Sequence, residues 1–415
     1  MRIPANHYLL HKYIEDFGLK PQLFDFEMKN KFIYISGYGE TLTYDRFNDL
    51  LQRKDPKLLS LFPGLRECEK GKTCDKLFTE AVGKVVDDFW EAYEKAADEV
   101  SFPEKIQVQA IKDAYAAITK NNKGGEQAGM KQLQEGMDAV PNAFVSSERG
   151  EKSLVDDIIY GARVTEIGIL EQSDPQIPLQ APVKVTYEVT ANSLKKSITS
   201  DYLILAIPYT AQRTIAKSKP FVPMQEMAVR DVRYVEVTKI LLQYKKRWWE
   251  EVFTKADQGL DGGLVSDLPI RYTMFPKTDG NTQFEHSNRG VIMAAYTFEQ
   301  DATILGSLSP ERRIQIAADN LNRIFPGARS LDLLEAGASQ VFPADELAGG
   351  SAFCYFGPMQ KTKFLDTMQK PDWENRVFFA GEQASFTHGW IQGAFEAGLR
   401  CVQQIWSVAI EGKAQ

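Results

Sequence analysis

Cysteine and histidine are both scarce in this chain, at four residues each in 415. Cys68, Cys74, Cys354 and Cys401 form no cluster with histidine at metal-ligand spacing, so no metal site is expected. Cys68 and Cys74 could pair across a loop in a secreted protein, but free thiols are the favoured reading. An excess of positive charge is missing too. Lys and Arg number 49 against 56 Asp and Glu, a net charge of −7, which argues against a nucleic-acid surface. No apolar run approaches the ~18 residues of a membrane helix. Residues 202–207 (Tyr-Leu-Ile-Leu-Ala-Ile) are among the longest such runs and read as a buried strand. The opening Met1-Arg2-Ile3-Pro4 has no signal-peptide character. A Gly-x-Gly-x-x-Gly turn, whose backbone N–H groups would cradle phosphates, is also lacking. Gly37-Tyr38-Gly39 comes nearest, yet Leu42 fills the third glycine position, so this segment reads as a plain turn.

What is present is the composition of a globular protein, with 43% hydrophobic and 25% charged residues and enough length for two or three domains. There is no internal repeat and no low-complexity tract. Helices are predicted at about residues 5–17, 43–51, 224–232 and 310–324. A long amphipathic helix is predicted over 73–100 from the rhythm Leu77, Ala81, Val85, Phe89, Tyr93, Ala97. A second helical stretch begins at Pro103, and residues 120–126 form a break. Strands are predicted at 32–36, 159–167, 183–190, 202–207, 238–244 and 290–296, with a last strand at 376–380 and a last helix from Gly389 to Trp406. Mixed strands and helices imply an α/β or α+β enzyme.

The most informative segment closes the chain: Val377-Phe378-Phe379-Ala380-Gly381-Glu382, then Thr387-His388-Gly389-Trp390-Ile391, running on to Arg400. A short apolar strand feeds a helix whose N-terminus offers free N–H groups and partial positive charge, which suits an anionic group. Gly389 and Gly393 would let a flat ring lie close to the backbone. Alone, this pattern is also that of any final strand and helix in an α/β protein. As a motif, however, it resembles the closing segment of the flavin amine oxidases, which include monoamine, polyamine and L-amino-acid oxidases. The resemblance implies FAD as cofactor, touched by Met1, Arg2, Gly381, Glu382 (to ribityl hydroxyls), Gly389, Trp390 and Ile391. It also implies that Val164, in Ala162-Arg163-Val164, sets its backbone against the adenine.

Three further segments point within that family toward L-amino-acid oxidase. Met1-Arg2-Ile3-Pro4 resembles a segment whose arginine binds the substrate carboxylate, a task suited to the planar guanidinium fork. Val237-Thr238-Lys239, followed by Trp248-Trp249, resembles the strand carrying the active-site lysine, which holds a water near flavin N5. Ser266 to Pro276 resembles a segment with a tyrosine before the proline; here Phe275 stands there, one hydroxyl short, and Tyr272 is expected to point elsewhere. Phe342 matches a substrate-facing aromatic, with core packing as the alternative. His388 reads equally as a turn histidine. Gly389 and Trp390 would border the α-amino group.

The resemblance implies oxidative deamination of an L-amino acid by dioxygen, with a keto acid, ammonia and hydrogen peroxide as products. It implies an incomplete Rossmann-like FAD-binding domain, a mixed-sheet substrate-binding domain and a reduced helical domain. The expected divisions are 1–54 and 236–365 for the substrate domain, 55–132 for the helical domain, and 133–235 and 366–410 for the FAD domain. The family's phosphate-binding βαβ unit would precede Met1, and the family's helical-domain histidine has no counterpart in 55–132. The alternatives are therefore a catalytically inactive remnant or truncated gene model, a subunit that docks onto a chain supplying the βαβ unit, or a monoamine or polyamine oxidase. A homodimer is left open, and the compartment is left unassigned.

Overall fold

The computed structural model describes residues 2–26, 30–83, 130–146, 153–170, 183–254, 262–276 and 288–411. Its strands are β1 (Leu23–Asp25), β2 (Asn30–Tyr34), β3 (Thr41–Thr43), β4 (Lys131–Leu133), β5 (Ala162–Ile169), β6 (Val183–Val189), β7 (Leu194–Ser200), β8 (Leu203–Leu205), β9 (Ala216–Lys217), β10 (Tyr234–Val235), β11 (Val237–Tyr244), β12 (Gly262–Ser266), β13 (Tyr272–Phe275), β14 (Gly290–Phe298), β15 (Leu334–Val341), β16 (Phe353–Cys354) and β17 (Val377–Phe379). The largest sheet has the order β15-β11-β14-β13-β12-β2-β3. It is antiparallel except where β12 runs parallel to β2, so it is mixed. A second sheet has the order β7-β6-β5-β9, and β17 pairs in parallel with β8.

The large sheet has two unlike faces because its strands alternate. On β11, Thr238, Ile240, Leu242 and Tyr244 are buried, while Lys239, Leu241 and Gln243 point the other way. The buried face meets Ala317, Ala318, Leu321 and Ile324 of the Pro310–Ile324 helix. Trp248 and Trp249 complete this core, packing edge to face with centroids 5.8 Å apart. The opposite face is left for the site described below.

A second core lies around β17, whose Val377, Phe378 and Phe379 are all buried between the Ile391–Glu411 helix and residues such as Tyr209, Phe221 and Trp373. This burial on all sides explains why the strand reads as an unbroken apolar run.

The elements that the sequence predicts within the described residues are found close to their expected positions, and the shifts at their ends have local causes. The final helix starts at Ile391, not Gly389, because Gly389 has φ +74°. The strand expected from 159 starts at Ala162, after a turn at Gly161 with φ +65°. Gly37–Gly39 is a turn, its Tyr38 and Gly39 N–H groups donating to the Ile35 carbonyl. The helix expected over 73–100 opens with Cys74–Phe78 and passes into a π-turn over Thr79–Gly83; its remainder, the Pro103 stretch and the 120–126 break lie outside the described residues. The edge strand β7 has no counterpart in the sequence reading. Its residues are polar or exposed, and its register is supplied by β6. All four cysteines are free.

Phe378 has no exposed surface and touches the heart of the second core. Phe378→Ala should cost about 3–5 kcal/mol in urea unfolding. Ile198→Ala, on the exposed edge strand, should stay within about 0.5 kcal/mol.

Candidate active site on the open face of the large sheet

Antiparallel pairing sets Lys239 of β11 opposite Tyr296 of β14, and Tyr296 opposite Tyr272 of β13. Directly paired residues share a face, so these three form one row across the open side of the sheet. The Lys239 ammonium lies 5.0 Å from the Tyr296 ring centroid and 5.9 Å from that of Phe342, which follows β15. Burial lowers the Lys239 pKa. No carboxylate within the described residues pairs with it.

Arg2 approaches the same row from the start of the chain. Its position is fixed by the neighbouring Ile3, which is fully buried and exchanges two backbone hydrogen bonds with Lys131, at 2.7 and 2.8 Å. The Arg2 guanidinium lies 5.7 Å from the Phe26 ring centroid. Burial pulls its pKa down, opposed by the Tyr296 hydroxyl, which is close enough to be felt. Reciprocally, burial raises the Tyr296 pKa and Arg2 lowers it. The wall thus holds two cations, Arg2 and Lys239, with a phenol between them.

An aromatic series carries this wall toward the closing motif. Tyr296 and Phe298 are 4.5 Å apart by ring centroid, Phe298 and Phe353 are 6.5 Å apart, and a Cβ on Gly389 would come within 3.2 Å of the Phe353 ring. Glu382 anchors that junction. Its Oε1 accepts from the Cys354 N–H at 2.7 Å and its Oε2 from the Gly389 N–H at 2.8 Å. Burial raises its pKa while these two bonds oppose the rise. Gly381, with φ +101°, lets the chain turn out of β17 into this arrangement.

Trp390 packs edge to face on His7, with centroids 4.9 Å apart. His7 is buried, its Nδ1 has no hydrogen-bond partner, and burial followed by His11 pushes its pKa down to about 4. As N-cap of the Tyr8–Asp16 helix, His7 makes no side-chain cap bond. Gln392 supplies that cap from the final helix, its Oε1 accepting from Leu9 N–H at 3.0 Å and Leu10 N–H at 3.3 Å.

A sequence model of the family described as "flavin containing amine oxidoreductase" matches residues 1–406. The chain belongs to the flavin-containing amine oxidoreductases. Among relatives of this family member, the putative L-amino-acid oxidase YobN of Bacillus subtilis (strain 168) is 27% identical over 435 residues, covering 98% of this chain and 83% of that protein. The L-amino-acid oxidase of Echis ocellatus is 27% identical over 432 residues, covering 98% and 78%. In fold the chain is similar to a putrescine oxidase variant, with TM-score 0.62, 15% identity and coverage of 98% and 86%. It is likewise similar to the cyclohexylamine oxidase of Brevibacterium oxydans, with TM-score 0.62, 14% identity and coverage of 100% and 87%.

FAD as the expected cofactor agrees with this family's flavin, and the closing motif fits a flat ring. Gly389 is exposed with φ +74°, and a side chain there would press on Phe353, so the backbone stays bare for close approach. Each Glu382 oxygen accepts one backbone N–H and keeps a second lone pair for a hydroxyl donor.

The other expected site residues divide into two groups. Arg2, Lys239 and Phe342 gather round Tyr296, and Gly381, Glu382, Gly389 and Trp390 gather at the closing motif. Ile391 packs against the small core containing Ile3 and Leu10. Val164 sits apart on β5, opposite Tyr187 and next to a bulge. Met1 lies outside the described residues. Phe275 requires a correction. It is 2% exposed on the helix-covered face, packed among Trp248, Trp249 and Phe325, and does not reach the Lys239 side. Tyr272, expected to point elsewhere, shares the Lys239 face instead. His388 packs on Phe356 at 4.3 Å, its Nε2 unpartnered and its pKa pushed by burial to about 4. Tyr296 was missed. Its one sequence signal is a tyrosine in the β14 run that pairs against the Lys239 strand.

His7 and His388 have folded-state pKa values depressed from 6.5 to about 4. Their contribution to stability is complete above about pH 6.5 and is lost as pH falls toward about 4, because the unfolded chain binds those protons first. His7→Gln should therefore flatten the loss of stability between pH 6.5 and pH 4 by up to about 1.4 kcal/mol per unit relative to the parent. Urea unfolding of both proteins across this range measures the difference.

Proposed function

We propose that the protein is an FAD-dependent L-amino-acid oxidase. On this reading an L-amino acid, dioxygen and water become a keto acid, ammonia and hydrogen peroxide. The observation that carries it is the Arg2–Tyr296 pair on the wall beside Lys239. A guanidinium and a phenol side by side offer a carboxylate both charge and a neutral donor, whereas a simple amine substrate gives neither a partner. The relatives named L-amino-acid oxidases, at 25–27% identity, support the same reading.

When bound, FAD supplies the two-electron oxidant for the Cα–H bond of the substrate. The chain supplies binding and orientation. Arg2 Nη and the Tyr296 hydroxyl hold the carboxylate. Gly389 and Trp390 border the α-amino group, with Glu382 fixing the Gly389 backbone. Lys239 Nζ, with its pKa lowered, holds a water that serves the dioxygen step or imine hydrolysis. Phe342 and Phe298 keep the pocket apolar around that water. Residues 133–235 and 366–410 form the cofactor half in this reading, and 1–54 and 236–365 the substrate half.

Protein reconstituted with FAD should release peroxide with L-amino acids. Arg2→Met should raise KM for them by about 10–100-fold, the weight of a charge-assisted bond, and Tyr296→Phe by about tenfold or less. Neither change should affect oxidation of an amine without a carboxylate. Peroxide from tyramine or spermidine but not from amino acids would move the assignment to an amine oxidase. A protein that takes up no flavin absorbance and yields no peroxide would be an inactive form.

Lys239→Met should leave the binding of substrate carboxylate intact and slow the oxygen-dependent half of turnover. Stopped-flow reoxidation against dioxygen concentration reads this directly.

A further inference from the structure

An open cavity of about 460 Å³ lies along the outer strand β15, which contributes Ser339, Gln340 and Val341 to its lining. One wall is Arg313, in the first turn of the Pro310–Ile324 helix. Arg313 is 8% exposed, its Nε has no hydrogen-bond partner, and it forms no ion pair among the described residues. An Nε–H buried without an acceptor is unfavourable, because its hydration is lost and nothing replaces it. The tight contact nearby makes the gap specific. A Cβ on Gly337 would meet Ile314 at 2.7 Å, so helix and strand touch there. Two residues further along the same face, at Ser339, they part around Arg313.

The facing wall carries the opposite charge. Asp345 accepts from the Leu347 and Ala348 N–H groups at 2.9 and 3.0 Å and from Gln340 Nε2 at 2.7 Å. All three donors are neutral, and no cation within the described residues pairs with it. The other acid of the lining, Glu346, is already paired with Arg163. The lining therefore holds one cation and one anion, neither in an ion pair among the described residues.

We infer that this cavity binds a small zwitterion, such as a free α-amino acid, its carboxylate on Arg313 and its ammonium toward Asp345. The presence of both charges in one lining selects this class. A doubly charged phosphate would face Asp345 unfavourably, and a simple carboxylate would leave Asp345 unpaired. The planar fork of Arg313 matches a carboxylate in two bonds. The inference is independent of the oxidase reading, since neither Arg2 nor Lys239 lines this cavity.

The test is calorimetric titration of the flavin-loaded protein with glycine, acetate and methylammonium. Arg2→Met separates this cavity from the active-site wall. Glycine should bind at one site per chain that survives Arg2→Met and disappears in Arg313→Met, with acetate at least tenfold weaker and methylammonium silent. Asp345→Asn should reduce glycine to the level of acetate, and this variant carries the test if Arg313→Met does not fold. Glycine binding unchanged in Arg313→Met, or no glycine site left in Arg2→Met, would overturn the inference. So would equal binding of acetate and glycine, which would make the cavity a plain anion site.

Discussion

The site depends on one carboxylate. Glu382 is half-buried between two backbone N–H groups, one from Cys354 in the segment after β15 and one from Gly389 at the entry to the final helix. A buried anion persists only where donors replace its hydration. The two N–H groups do that, and in doing so they bolt the closing motif to the strand that meets β10. Phe353 lies next to this bolt and leads through Phe298 to Tyr296. Without Glu382, nothing polar would set the spacing between the glycine-lined cradle and the cationic wall.

The large sheet divides its labour by face. Trp248, Trp249, Phe275 and the Pro310–Ile324 helix take the helix-covered face, where stability comes from burial. Lys239, Tyr296 and Tyr272 take the other, where burial lowers the Lys239 pKa and raises that of Tyr296. A strand period of two lets one stretch of chain serve both purposes. Thr238 and Ile240 anchor β11 in the core while Lys239 between them stands free to act.

That same alternation explains what could be read in advance. Lys239 was legible because a lysine inside an apolar strand departs from its surroundings. The closing segment was legible as a motif, and two of its glycines, Gly381 and Gly389, sit where the backbone has positive φ. Phe275 and Tyr272 were exchanged because a residue's face depends on strand register, which long-range pairing settles. Tyr296 escaped because an aromatic in a strand is ordinary until the strand across from it is known. Edge strand β7 escaped because Lys195, Lys196 and Ser197 carry no alternation, and β6 imposes their pairing. Arg313 looks like one more charge on an amphipathic helix, and only packing reveals that its Nε is buried without a partner.

The cap that Gln392 places on the first helix has a consequence for biosynthesis. His7 leaves the leading N–H groups of that helix unsatisfied by its own side chain, and the missing acceptor lies 383 residues further along. On a ribosome this segment emerges 383 residues ahead of its capping partner. The helix end must therefore stay open to water until Gln392 has been made, so this junction is among the contacts that form late.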